Sequence, residues 1–489
     1  MRSAALLVVV LAAVAAAAPF HLTQGTFKLG TSVTNRLLDA QDSHAGRRSL
    51  GDVPKQWFTQ KLDHFNTFDE TTWLQKYYVN QTFWGGPGYP IFFMIGGEGP
   101  IDDRYVTAMD YVIYARTYKA LMVTLEHRFY GESVPTADYS VANLRFLTSQ
   151  QALADAANFA ANITLQFNAP TSSWVTFGGS YPGCLSAWAR LKYPNLFQGS
   201  ISTSGPVHAE LNFVQYLEVV QASLEYFGGT TCSSLITQAT NKIQTLLQQP
   251  GGLSSVGKLF SVCVPLNSQD DVANFMSTLA GNVMGVVQYN NEGRGGPTIT
   301  DVCATMLSNS DPLQAYVNLN QLFLASGNVT CLDVAYKPMI QQLQDTAPGA
   351  DVGGRSWLWQ TCQEFGFYQT TDSTFSHVFG NLFPLSFSLQ MCNDVFGTNY
   401  QQADFQKRLN WTNDYYGSLD FSGSNTFFIH GSIDPWHALG IYQITSPVNS
   451  ATLITGTAHC ANMRMPLPSD PPQLVAARLQ TSETIGKFL

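Results

Sequence analysis

At 489 residues, with 45% hydrophobic and 12% aromatic residues, the chain can bury a substantial core and is long enough for two domains or for one core with a large insertion. The net charge is −9 and only 12% of the residues are charged. The sequence therefore offers no basic stripe that could neutralise phosphates, and this excludes nucleic acid as an expected partner.

The N-terminus is typical of a secretory signal peptide. A short basic start is followed by an apolar run over residues 4–18, which is shorter than the roughly 20 residues that a membrane span requires. We therefore expect cleavage of residues 1–18, no membrane span in the mature protein, and a location in the secretory pathway, either secreted or lysosomal/endosomal. Residues 19–54 lack periodicity and are predicted to form a linker or propeptide.

Two further features agree with passage through that pathway. The eight cysteines predict several disulfides in an oxidising compartment, and the sequence leaves their pairing open. Asn-x-Ser/Thr sequons predict glycosylation wherever they lie on the surface, at Asn80, Asn162, Asn328 and Asn410.

Strands and helices are predicted to alternate from about residue 56 to residue 205. The apolar run at 91–95 and the largely apolar run at 120–125 predict buried strands, and the stretches between the strands predict helices. The predicted elements are, in chain order, a strand at 91–95, a helix at 105–119, a strand at 120–125, a helix that opens at a capping box of Thr148 and Gln151, a strand at 174–177, a helix at 183–193 and a strand at 199–203. This alternation is typical of a mostly parallel sheet with helices on both faces.

The alternation stops after residue 205. Helical patterns dominate residues 206–415, with predicted helices at 211–226, 234–247, 272–287 and 313–324. Strand-like runs return at 426–429 and 451–454, and a closing helix is predicted at 472–489. We therefore predict an α/β core with a mostly parallel sheet, made of residues 55–205 and 416–489 and interrupted by a large helical cap insertion at 206–415.

A candidate nucleophile follows the strand at 174–177, in the segment GGSYPG at 178–183. A serine at a strand-to-helix turn needs strained backbone geometry, which flanking glycines permit, and its hydroxyl then projects above the sheet. Pro182 departs from Gly-x-Ser-x-Gly, but proline is tolerated in a first helical turn. A glycine-rich turn with an ordinary N-capping serine is the alternative. The motif favours Ser180 as the nucleophile of an α/β-hydrolase.

Such a nucleophile requires a base and an orienting carboxylate, which follow it in the order Ser, Asp, His in α/β-hydrolases. Asp434 comes just after the returning strand at 426–429. Of the nine histidines, His459 alone follows both Asp434 and a further strand, the one at 451–454. We therefore predict a Ser180–Asp434–His459 triad in which His459 accepts the serine proton.

The oxyanion hole is predicted to use backbone amides. Tyr181 is expected to supply one donor, and the turn at 96–99 is expected to supply the second through Gly97 or Glu98. The sequence contains neither a Cys-x-x-Cys pair nor an HExxH motif, so we predict no metal and no cofactor.

With these residues in place, the chain resembles the prolyl-cleaving serine peptidases, the family of lysosomal Pro-Xaa carboxypeptidase and dipeptidyl peptidase II. Within it, the segments 285–289, 359–368 and 434–437 look closest to the thymus-specific serine protease branch. Asn462 departs from the family pattern, which often has aspartate there, and we expect altered pH behaviour or local hydrogen bonding. The resemblance rests on residues 60–66, 96–100, 126–133, 147–155, 178–183, 434–436 and 458–460.

The resemblance implies peptide substrates, a helical cap over the active site and exopeptidase cleavage after proline, in either a Pro-Xaa carboxypeptidase or a dipeptidyl-peptidase mode. It suggests Trp359 and Trp436 as aromatic walls for proline and Glu364 as the acceptor for a peptide ammonium. Simple packing of both tryptophans under the cap, and a structural role for Glu364, are the alternatives. The oligomeric state is left open, with a homodimer as one option. An esterase, or a catalytically silent binding protein of the same fold, is the competing function.

Overall fold

The structure is a computed structural model that describes residues 52–290, 296–349, 353–444 and 446–489. The predicted signal peptide, and all of the predicted linker except residues 52–54, lie outside the described residues. Within the described ranges, no helix combines the length and the apolar character needed to cross a bilayer.

The described residues contain ten strands, and eight of them form the sheet at the centre of the fold. The strands are, in chain order, β1 (Gln56–Lys61), β2 (Thr72–Asn80), β3 (Ile91–Ile95), β4 (Leu121–Leu125), β5 (Trp174–Gly179), β6 (Phe197–Thr203), β7 (Glu210–Asn212), β8 (Gly366–Tyr368), β9 (Thr426–Gly431) and β10 (Ser450–Ile454). The sheet has the spatial order β1-β2-β4-β3-β5-β6-β9-β10, while β7 and β8 pair separately. β2 runs antiparallel to β1 and β4, and the other neighbours are parallel. This is an α/β-hydrolase fold, so the predicted fold class is confirmed.

The strand β3 is apolar throughout because both faces of the sheet are covered there. In β3, Ile91, Phe93 and Ile95 belong to the hydrophobic core on one face, whereas Phe92 and Met94 belong to the core on the other. This alternation follows from the two-residue period of a strand. A continuous apolar run was therefore a reliable indication of a strand buried on both faces.

Helices cover the sheet and make up most of the chain between β6 and β9. The α-helices are Tyr111–Tyr118, Val141–Leu144, Ser149–Gln166, Tyr181–Lys192, Gln215–Leu247, Gly252–Leu259, Gln269–Tyr289, Ile299–Leu307, Pro312–Ser326, Tyr336–Gln344, Gly354–Gln360, Leu385–Phe396, Gln402–Tyr416 and Pro472–Phe488. Short 3₁₀ turns occur at Asp103–Val106, Pro435–Leu439 and Ala461–Met463, and a π-helical turn occurs at Thr361–Phe365.

Three predicted helices differ most from the observed ones. The helix predicted at 105–119 begins only at Tyr111, after the 3₁₀ turn Asp103–Val106. The helix predicted at 211–226 begins at Gln215, because the preceding residues pair with β8. It then continues to Leu247 with a break at Gly229, where φ is 71°, and so includes the helix predicted at 234–247.

The predicted capping box is half formed. The Thr148 side chain accepts a hydrogen bond from the Gln151 amide, so the threonine does cap the helix Ser149–Gln166. The Gln151 side chain does not return to the cap, because its amide nitrogen donates to Asp63 Oδ1 and its oxygen accepts from the His64 amide. The helix start is thereby fastened to the segment after β1.

The predicted disulfides are present and all lie in the mostly helical region. The structure pairs Cys232 with Cys303, Cys263 with Cys331 and Cys362 with Cys392. Cys184 and Cys460 remain as buried thiols. Disulfides of this kind persist in oxidising compartments, which agrees with the secretory pathway.

The sequons divide into two groups. Asn162, Asn328 and Asn410 are exposed, as a glycosylation site requires. Asn80 is not, because it ends β2 with a buried side chain that donates to the carbonyl of Val106. The structure therefore removes Asn80 from the candidate acceptors and leaves the other three as predictions.

Candidate active site

Ser180 occupies a strained turn between β5 and the helix Tyr181–Lys192. Its backbone has φ 64° and ψ −131°, a conformation that residues with a side chain rarely adopt. The neighbouring glycines are required by space: a Cβ on Gly178 would lie 2.0 Å from the Pro182 oxygen, and one on Gly183 would lie 2.5 Å from the Thr203 oxygen. The small residue that the turn needs is therefore Gly183, and Pro182 fits beside it in the first helical turn.

Asp434 and His459 form a buried pair at the same edge of the sheet. Asp434 follows β9 and His459 follows β10, which are adjacent parallel strands, so both loops lie beyond the same strand ends. His459 Nδ1 lies 2.8 Å from Asp434 Oδ2, and both side chains are 0% exposed. Asp434 Oδ1 accepts from the Trp436 amide at 3.0 Å, and the Ser204 hydroxyl also hydrogen-bonds the carboxylate.

The pair is electrostatically asymmetric. Burial by itself lowers the pKa of His459, but the charge and hydrogen bond of Asp434, with a smaller contribution from Cys460, hold that pKa well above its usual value. Burial raises the pKa of Asp434, and the charge and hydrogen bond of His459 outweigh it, so that pKa is lowered. Within the described ranges, His459 Nε2 is buried and makes no hydrogen bond. The ring thus has an unused nitrogen and a partner that favours its protonated form.

The predicted oxyanion donors lie next to each other. A Cβ on Gly97 would meet the Pro182 ring at 2.2 Å, so the turn after β3 packs directly against the start of the helix that follows Ser180. Tyr181 is the first residue of that helix, where a backbone N–H has no partner within the helix. Neither amide donates to another described residue.

A buried polar chain fixes the side chain of Tyr181. Its hydroxyl lies 3.0 Å from His127 Nε2 and accepts from Gln360 Nε2 at 3.0 Å, and Tyr130 donates to Gln360 Oε1 at 2.6 Å. Burial lowers the pKa of His127 to about 4, so the ring is neutral at most pH values. His127 Nδ1 contacts the carbonyl of Arg128, which leaves Nε2 as the acceptor for the tyrosine hydroxyl.

The two tryptophans suggested as substrate contacts lie in different places. Trp436 is partly exposed, with its ring 6.3 Å from that of His459 and 5.4 Å from that of Phe367. Trp359 is buried, and its ring packs on Phe396 at 5.1 Å. The structure therefore brings Trp436 to the candidate site and favours the packing interpretation for Trp359.

The carboxylate of Glu364 binds another part of the protein, which favours a structural role over a substrate role. Its buried carboxylate accepts from the Ser149 amide at 2.9 Å and from the Ser149 hydroxyl at 2.7 Å. This places a carboxylate from the mostly helical region at the N-terminus of the helix Ser149–Gln166, where the helix dipole favours negative charge. The structural role that the sequence left open for Glu364 is the one that these contacts support.

Replacing Glu364 with glutamine is expected to change how stability depends on pH. Burial, partly offset by the hydrogen bonds from Ser149, raises the pKa of Glu364 to about 7. The folded state thus binds the proton more tightly than the unfolded state, so this residue costs stability as the pH rises from about 4.5 to about 7. Relative to wild type, Glu364→Gln should gain on the order of 2 kcal/mol in unfolding free energy across that window.

Urea unfolding of both proteins at the two ends of this pH window measures the effect. Glu483→Gln, at an exposed position on the closing helix, is the matched control and should show no such trend. A difference between Glu364→Gln and wild type that is the same at both pH values would contradict the prediction.

Sequence reasoning missed several residues at the site. Gln288 and Tyr289 end the helix Gln269–Tyr289 beside His459, and the Gln288 carbonyl accepts from the His459 amide at 2.9 Å. The sequence marks segment 285–289 only through the family resemblance. Asn462, by contrast, was expected to form a local hydrogen bond in place of the family's usual aspartate. Its side-chain amide donates to Thr203 Oγ1 at 3.0 Å.

Comparison with known proteins identifies the family of the chain. The profile of the family Serine carboxypeptidase S28 matches residues 60–481. Thymus-specific serine protease is 35% identical over 452 residues in Mus musculus (90% of this chain, 88% of the relative) and 36% over 445 residues in Homo sapiens (88% and 86%). Lysosomal Pro-X carboxypeptidase of Homo sapiens is 28% identical over 453 residues (86% and 85%). The chain therefore belongs to the serine carboxypeptidase S28 family of serine peptidases.

Proposed function

We propose that this protein is a secretory-pathway serine exopeptidase that cleaves after proline, with Ser180, Asp434 and His459 as its catalytic triad. The observation that carries the proposal is the buried His459–Asp434 pair, 2.8 Å apart, in a chain whose family is that of serine peptidases and whose Ser180 occupies a strained strand-to-helix turn. Trimming from either peptide end is compatible with these contacts, and the experiment below separates the two modes.

The proposed reaction proceeds in two halves. His459 Nε2 removes the proton from Ser180 as the serine oxygen attacks the prolyl carbonyl carbon, and Asp434 stabilises the imidazolium that forms. The tetrahedral intermediate collapses with cleavage of the C–N bond, and His459 gives its proton to the leaving amine. Water then attacks the acyl-enzyme with the same base, releasing the new carboxyl terminus and restoring Ser180.

Oxyanion donors, an aromatic wall and a cap are proposed to support this chemistry. The unpartnered amides of Gly97 and Tyr181 are proposed as the donors that stabilise the oxyanion, and the polar chain around the Tyr181 hydroxyl keeps that residue in place. Trp436 is proposed as an aromatic wall for the proline ring, because its partly exposed ring lies beside His459. We propose that residues 206–415 form the cap over this site.

The test compares wild type with Ser180→Ala on two matched pairs of peptides between about pH 4.5 and pH 7.5. H-Lys-Pro-reporter and H-Lys-Ala-reporter test the dipeptidyl mode, and blocked-Pro-Phe and blocked-Ala-Phe test the carboxypeptidase mode. We expect wild type, and not Ser180→Ala, to prefer the proline member of one pair, and the pair that is cleaved assigns the mode.

Two results would overturn parts of the proposal. If wild type reacts with a serine-directed fluorophosphonate but shows no preference for proline in either pair, the triad stands and cleavage after proline is wrong. If correctly folded wild type is not labelled at all, the enzymatic proposal is wrong and a silent binding protein replaces it.

A further inference from the structure

The last turn of the helix Gln269–Tyr289 contacts both loops that carry the proposed acid and base. The Gln288 carbonyl accepts from the His459 amide at 2.9 Å. The Gln288 side-chain oxygen accepts from Trp436 Nε1 at 3.1 Å, and Trp436 is the residue whose own amide donates to Asp434 Oδ1. One residue from outside the sheet thus joins the histidine loop to the aspartate loop.

The chemistry of these contacts fixes the orientation of the Gln288 amide. An indole N–H can only donate, so the atom that faces Trp436 must be the glutamine oxygen. Tyr216 donates to the same oxygen at 2.6 Å, which holds it from a second side. Gln288 is therefore held at two points: its backbone carbonyl binds the His459 amide, and its side-chain oxygen binds Trp436 Nε1.

The helix end adds an electrostatic contribution. The last four carbonyls of a helix lack partners within it, and together they carry a partial negative charge. Here the Gln288 carbonyl, one of these four, accepts a hydrogen bond from the backbone amide of His459. The ring of Tyr289, the last helical residue, lies 6.2 Å from the His459 ring. The negative end of a 21-residue helix therefore lies next to the group that becomes positively charged during the proposed reaction.

We propose that Gln288 is a positioning residue for the hydrolytic reaction: it holds the Asp434 and His459 loops in register from the cap side. The inference rests on the proposed function, because register matters only if these two residues act together. Without the Gln288 oxygen, Trp436 and Tyr216 lose their shared acceptor and the loop that begins at Asp434 is held on one side only. Misplacement of the acid and base lowers the rate of the chemical step more than it weakens substrate binding.

The experiment uses the mature protein and the preferred substrate of the wild type. Gln288→Leu, which keeps the size and removes the acceptor, is expected to lower kcat by about tenfold, with a smaller rise in KM because the Trp436 ring also lines the proposed proline site. Gln288→Glu restores an acceptor for both donors and should recover most of the lost kcat. Tyr216→Phe removes one donor and should give a smaller loss of kcat. Gln314→Leu, at an exposed position on the helix Pro312–Ser326, is the matched control.

A second measurement does not depend on turnover. The proton between His459 Nδ1 and Asp434 is expected to give a downfield ¹H NMR resonance, which should broaden or move in Gln288→Leu and return in Gln288→Glu. A wild-type kcat and an unshifted resonance in Gln288→Leu, or a change in KM alone, would overturn the inference while leaving the triad in place. Loss of the proposed function is recognised separately, since wild type itself would then show no Ser180-dependent hydrolysis.

Discussion

Replacing Asp434 with asparagine is expected to lower kcat by about 10⁴-fold without unfolding the protein. Asp434 Oδ2 accepts from His459 Nδ1 at 2.8 Å and both side chains are fully buried, so the carboxylate fixes the tautomer of the ring and stabilises its protonated form. Asparagine has the same shape and can keep the contact with the Trp436 amide through its oxygen. It cannot favour the proton on Nδ1 in the same way, so His459 would lose its ability to take the proton from Ser180.

The kinetic measurement should include Ser180→Ala and the double variant. Residues that act as a unit are strongly non-additive, so the double variant is expected to be no slower than Ser180→Ala alone. Asp420→Asn, at an exposed position, is the control for removal of one negative charge. Thermal unfolding checks that each variant is folded, and the rate of fluorophosphonate labelling should fall in parallel with kcat. A loss of less than tenfold in Asp434→Asn would contradict the role assigned to this residue.

Replacing Arg128 with methionine is expected to reduce the unfolding free energy by about 3–5 kcal/mol, the largest stability effect that we predict. The guanidinium is fully buried and binds Asp155 through two parallel hydrogen bonds, of 2.6 and 2.7 Å. It also donates to the carbonyls of Leu62 and Phe146, so it connects the segment after β1 to the helix Ser149–Gln166. Methionine fills the space but removes both guanidinium donors from the buried Asp155 carboxylate, which retains the contact with His64 Nε2 at 2.8 Å. It also takes the Arg128 donor from the carbonyls of Leu62 and Phe146.

Urea unfolding of Arg128→Met measures this loss, and the surface pair of Lys242 and Asp311 supplies the control. That pair is similarly close, at 2.7 Å, but both side chains are about half exposed and solvent screens their attraction. Lys242→Met should therefore change the unfolding free energy far less than Arg128→Met. Equal effects of the two substitutions would show that burial of the Arg128 pair does not matter in the way we argue.

The sequence identified the parts of the fold whose signal is local. β3 is a continuous apolar run, β4 is interrupted by Thr124 alone, and Ser180 lies between glycines that only a tight turn needs, so each could be identified from a few adjacent residues. β2 was not identified as a strand because polar residues interrupt its pattern. One of them, Lys76, is buried and pairs with Glu126 at 2.7 Å, and this partner is 50 residues away in the sequence.

The same distinction explains the site residues. Asp434 and His459 could be predicted because chain order and the preceding strands constrain them. The role of Glu364 depends on Ser149, which is 215 residues away, and that of Gln288 depends on Trp436, which is 148 residues away. Contacts of this kind leave no periodicity in the sequence, so no reasoning from adjacent residues could have distinguished Glu364 from a substrate-binding acid.

The chain order of the sheet has a consequence for how the protein is made. β6 pairs with β9, Ser200 opposite Thr426, so the sheet cannot be completed during synthesis until the whole helical stretch between them has been made. Closing such a long loop carries an entropic cost, and cross-links inside the loop reduce it. All three disulfides lie within that stretch, so forming them first would shorten the loop that has to close when the two halves of the sheet meet. We therefore expect folding of the α/β core to be faster when these six cysteines, which lie outside the core strands, are oxidised.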